Sequence, residues 1–149
     1  MTDMKTNESL HNIHVSGFAY ELLRNDLLPN LIGKEISSIL YWAGKNLARK
    51  YPLQTIDEIM DFFIQAGWGH LHLVHEKKSE LEFELSSELI TVRHEQNKQT
   101  CYQLEAGFIA EQIQQQKRFL TEACEKPKKK SASIILTVQW DPKDSIDNE

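Results

Sequence analysis

Apolar residues recur along this chain first at helical spacing, then at every second position, then at helical spacing again. Ile36, Ile39, Leu40, Ala43 and Leu47 keep the helical period, and Lys45, Arg49 and Lys50 gather at the end where cations complement a helix dipole. This predicts a helix over 34–50. Ahead of it, Ser16 is placed to cap a helix carrying Phe18, Ala19, Leu22, Leu23 and Leu27. That helix should stop by Leu28, because Pro29 disfavours helical backbone in the residue before it. Thr55 and Glu58 form a capping box for a third helix, with Ile56, Ile59, Met60, Phe63 and Ile64 inside and Gly67 as its stop.

The period then becomes two. Leu71 and Leu73 alternate with His70 and His72, and Leu81, Phe83 and Leu85 alternate with Glu80, Glu82 and Glu84 across the turn EKKS. A third strand, Leu89 to Glu95, is expected to complete a meander with one dry face. Next, Thr100 and Gln103 form a capping box for a helix reaching Gln116. Cys101, Leu104 and Phe108 lie on one stripe and Tyr102, Ala106, Ile109 and Ile113 on the next, so the helix should be substantially buried, with Glu105, Glu111, Gln112 and Gln115 facing elsewhere. Gly107 costs this helix about 1 kcal/mol relative to alanine, and close approach by a neighbouring backbone is the expected compensation. RFLTEACE and SIILTVQW, joined by KPKKKSA, read as a closing hairpin.

Helices, meander, helix and hairpin in that order indicate an α+β domain with helices on one face of an antiparallel sheet. It should span 15–140, with a flexible arm over 1–14 and an acidic, frayed tail over 141–149. At 149 residues the chain is long enough to bury about 68–70% of its unfolded surface. Two cysteines and a polar start without a signal-like segment point to a cytoplasmic protein, and no window is apolar enough for a membrane span. The net charge of −5 disfavours nucleic acid as a partner, since phosphate binding depends on excess Lys and Arg.

Candidate chemistry changes this picture little. No nucleophile elbow, P-loop, H-E-x-x-H or G-x-G-x-x-G occurs, so no catalytic residue is assigned and an enzyme is not expected. His70 and His72 share a strand face without a third convergent ligand, Glu80, Glu82 and Glu84 read as a solvated row, and Cys101 and Cys124 read as small packing residues. Lys126, Lys128, Lys129 and Lys130 read as a solvated turn.

The run CYQLEAGFIAEQI, followed by a strand ending in cysteine and a terminal strand, resembles the last third of the four-vinyl-reductase domain, and ILYWAGKNLA is similar to that family's Ala-Gly helix. With FIQAGWGHLHLV and LEAGFIAEQ, the whole pattern most resembles the YslB-type family of bacilli, which is uncharacterised. The resemblance implies a fold shared with TRAPP vesicle-tethering subunits and a ligand-binding grouping in nitric-oxide signalling and Golgi transport. It also implies a helix-paired dimer, no catalysis and, in some relatives, an apolar cavity or a zinc site. Cys101, Glu122 and Cys124 match only part of that zinc pattern, and nothing in KPKKKSASIILTV supplies the last thiolate, so neither metal nor cofactor is expected.

Two functions follow as expectations. The first is a homodimeric interaction module whose first two helices form the seam, with Phe18, Leu22, Tyr41 and Trp42 as anchors. The second is a sensor for a hydrophobic small molecule or acyl chain, held in a cavity lined by Phe63, Leu81, Phe83, Cys101, Leu104 and Phe108.

Overall fold

The computed structural model describes residues 7–128 and 131–147. Its elements run α1 (Glu8–His11), α2 (Gly17–Glu21), a π-helical turn (Leu22–Leu27), α3 (Leu28–Ile32), a 3-10 turn (Gly33–Glu35), α4 (Ile36–Lys50), α5 (Ile56–Gln65), β1 (His70–Lys77), β2 (Glu80–Ser86), α6 (Glu88–Glu95), α7 (Gln103–Lys117), β3 (Phe119–Pro127) and β4 (Ile134–Ser145). The sheet is antiparallel in the order β1-β2-β4-β3, so the closing hairpin inserts β4 against β2. The α+β expectation holds.

Alternation along β2 and β4 places Leu81, Phe83, Leu85, Leu136 and Val138 on the inner face, where Phe108, Ile109 and Ile113 of α7 cover them. Phe62 stacks on Phe108 with ring centroids 4.5 Å apart, and Trp68 meets Phe63 edge-on at 4.9 Å. Behind α7 lies α4, whose Leu40, Gly44 and Ala48 recur every fourth residue on the contact face. Two glycines set that crossing. A Cβ on Gly107 would run into the Tyr41 carbonyl, and one on Gly44 into the Leu104 carbonyl, so each helix approaches its partner where the other has no side chain. The close approach expected for Gly107 is therefore present.

Five expectations are corrected. Leu89–Glu95 is not a strand but most of α6, because Ser87 accepts from the Ile90 N–H at 3.0 Å, Glu88 sits in the first turn and Arg93 and His94 in the last. Thr100 does not cap α7. The Tyr102 N–H is instead taken by Glu125 Oε2 of β3 at 2.8 Å, and the helix begins at Gln103. Glu105, Glu111 and Gln112 do not face solvent; they are buried with the rest of α7, each held by a partner from an N-terminal helix or the loop after α4. Pro29 does not end the first helix, since the wider π turn carries the Leu28 N–H to the Leu23 carbonyl and helical backbone resumes through Ile32. The acidic tail is not frayed as far as it is described: β4 runs to Ser145, the Ile146 N–H donates to the Arg118 carbonyl, and Asp147 pairs with Arg118 at 2.6 Å. Of the arm, residues 1–6 lie outside the described residues, and α1 follows with Asn7 Nδ2 donating to the Tyr51 hydroxyl. Lys129 and Lys130 also lie outside them.

Candidate functional site

The N-terminal helices are turned the opposite way to the rest of the molecule. Along α2 and the π turn the side chains facing the body are mostly polar, namely Tyr20, Glu21, Arg24 and Asn25, and α3 adds the half-buried Leu28, Pro29 and Ile32. Arg24, 5% exposed, pairs with buried Glu105 of α7 at 2.6 Å, and it also donates to the Cys101 carbonyl and the Tyr20 hydroxyl. Glu21 takes two bonds from Arg93 of α6, at 2.8 and 2.5 Å, and Arg93 donates onward to the Tyr102 hydroxyl. These bonds hold the Glu21 carboxyl below the usual carboxylate range. Burial pulls the Arg24 pKa down, but the charge and hydrogen bond of Glu105 outweigh it and leave a permanently charged guanidinium.

With polar groups inward, the apolar side chains point out. Phe18 is 69% exposed, Leu23 60%, Leu31 70% and Trp42 64%. Ten of the fourteen large exposed apolar residues among the described residues fall between Leu10 and Trp42, a concentration far above scattered surface hydrophobes.

The expected seam residues divide. Phe18, Leu22 and Trp42 lie on this outer face. Tyr41 does not: its hydroxyl donates to Glu122 at 2.6 Å and accepts from the Ala123 N–H at 3.0 Å, closing the free edge of β3. Burial, then the bond to Glu122, raises its pKa, so the hydroxyl stays protonated. The expected cavity lining divides too. Phe63, Leu81, Phe83 and Phe108 are at most 1% exposed and fill the core, with Leu104 packed at its margin. Cys101 alone of the six lines a cleft.

That cleft, about 490 Å³, opens between the π turn and the start of α7, lined by Arg24, Pro29, Leu40, Cys101, Gln103 and Glu125 among others. A second, about 400 Å³, lies between α6 and the β3–β4 hairpin. Gln99, Thr100 and Glu125 border both. Burial raises the Glu125 pKa to about 7 against the opposing pull of the Tyr102 N–H, and the charge of Glu105 adds to the rise. Sequence reading missed Arg24, Glu105, Arg93 and Glu125. A signal for Arg24 existed, since Glu21, Arg24 and Asn25 repeat at helical spacing as a second, polar stripe beside the apolar one.

His70 and His72 are exposed on the outer sheet face, Cys124 is exposed there as well, and no cluster of three or more His, Cys, Asp or Glu able to hold a metal occurs among the described residues. No helix of the described residues is long and apolar enough to cross a membrane.

This fold, a four-stranded antiparallel sheet covered on one face by helices, has a counterpart among vinyl-4-reductase family proteins. A crystal structure of a vinyl-4-reductase family protein from Methanocaldococcus jannaschii matches with a TM-score of 0.63 over 92% of this chain and 89% of that one, at 16% identity, which shows a shared fold. By sequence the chain belongs to the family described as protein of unknown function (DUF2507), whose model matches residues 17–139. It is 48% identical over 139 residues to the uncharacterized protein YslB of Bacillus subtilis (strain 168), covering 93% of this chain and 94% of that protein.

Proposed function

We propose that this chain is a non-catalytic interaction module that pairs with a second copy of itself through the outer face of α2, α3 and α4. One observation carries the reading: the helices turn their charged residues inward and leave Phe18, Leu23, Leu27, Leu31 and Trp42 in solvent. With large side chains offering on the order of 150–200 Å² each when fully open, these five leave roughly 500–600 Å² exposed, and the ten exposed apolar residues from Leu10 to Trp42 together roughly 1,000 Å², against about 800 Å² per partner in a stable interface. A twofold pair presents the same patch from both sides, so an apolar face without strong charge is self-complementary.

Sedimentation equilibrium tests this. The wild-type chain is expected to be a dimer at micromolar concentration, and the Leu23→Glu/Trp42→Glu variant a folded monomer with an unchanged circular dichroism spectrum. A wild-type monomer at several hundred micromolar would end the proposal.

A further inference from the structure

The two clefts lie side by side between the π turn, α6 and the closing hairpin, with Gln99, Thr100 and Glu125 bordering both, as two lobes of one trough-like region. Each lobe has the volume of a small-molecule site. Three further observations give the trough a chemistry. First, Gln103 Oε1, in the first lobe, is shielded from solvent and has no hydrogen-bond partner among the described residues. A buried acceptor without a donor costs about 1–3 kcal/mol, which a ligand N–H would recover once the Gln103 amide turns toward the cleft. Second, of the cations lining the trough, Arg24, Arg93 and Lys128 are each matched by a carboxylate, from Glu105, Glu21 and Glu84. Lys98 in the second lobe makes no ion pair within 4.0 Å among the described residues, and its charge reaches only as far as Glu21, whose carboxylate is already bonded to Arg93. Third, Arg24 and Asn25 on the wall of the first lobe belong to the π turn, a departure from regular helix that recurs at functional sites.

We propose that this trough binds a small anionic molecule bearing N–H donors, its anionic group facing Lys98 and a donor bonded to Gln103 Oε1. The site is separate from the outer apolar face, and its occupancy does not depend on pairing of two chains.

The test is an NMR titration of the full chain with alanylglutamate, which carries carboxylates, an amide N–H and an ammonium group, beside acetate as an anion without donors. Saturable shifts are expected at the backbone amides of 98–104, 125, 126, 128 and 131–134, with the Lys98→Glu and Gln103→Leu variants each weakening alanylglutamate at least tenfold. Gln103→Leu should also raise the melting temperature of the free protein, because it removes the unpaired acceptor. Absence of shifts at those amides, acetate binding as tightly as alanylglutamate, or undiminished binding by Gln103→Leu overturns the proposal. Should either variant fold poorly, Lys98→Gln, at an exposed position, supplies the same comparison.

Discussion

The body formed by α4, α7 and the sheet is held by apolar contact and backbone proximity, whereas the layer formed by α2, the π turn and α3 is held by arginine–carboxylate bonds. The difference shows that one hydrophobic pattern has two uses. In α7 the apolar positions mark the inside, and even Glu105 and Gln112 follow them in. In α2 and the π turn the same residue types mark the outside, and burial of one guanidinium replaces burial of a leucine stripe. Ion pairs out of water gain little net stability over an apolar contact, yet are costly to break singly. Such an attachment fixes where the layer sits and leaves its apolar surface in solvent.

Substitutions separate the two regions. The largest effect is expected in the body: Gly107→Val drives a branched side chain into the Tyr41 carbonyl and should remove about 5 kcal/mol, read from urea unfolding. Arg24→Leu should cost about 3–5 kcal/mol, because Glu105 is left charged and unpaired. Its loss should appear as fast hydrogen exchange over 17–32, and Arg24→Leu/Glu105→Leu should recover most of the stability. If exchange rises equally in the β2 and β4 amides, the layer is no separate attachment and the contrast fails.

Smaller effects sharpen the contrast. Phe18→Ser, at the outer face, should change the stability of the isolated chain by less than about 0.5 kcal/mol, measured in dilute solution. Glu125→Gln addresses the border between the regions. The folded pKa of Glu125, about 7, lies above the unfolded value, so the native state binds the proton more tightly and this residue's contribution falls as pH rises from about 4.5 through 7. The variant should flatten that part of the pH profile and melt about 2 °C higher than wild type at pH 8, by differential scanning calorimetry. An unchanged profile would mean that Glu125 is solvated.

Much of the fold was legible in local pattern. The Thr55 cap forms with Glu58 Oε1 reaching back to the Gln54 N–H, β1 and β2 alternate as expected, and the closing hairpin pairs Cys124 with Thr137 and Ala123 with Val138. Leu89–Glu95 was misread because its β-branched residues mimic a strand, while Ser87 and the charges at both ends of the segment favoured a helix. The candidate site was barely legible. Arg24 and Glu105 lie 81 positions apart, and no local pattern pairs them.

The sequence by itself determined the helical and extended periods and the caps at Ser16 and Thr55, because each depends on neighbours a few residues away. Only the tertiary structure decided which face of the first helix is wet. That choice is made by Glu105 and Arg93, which have no local relation to Arg24 and Glu21 until α6 and α7 bring them within hydrogen-bonding distance.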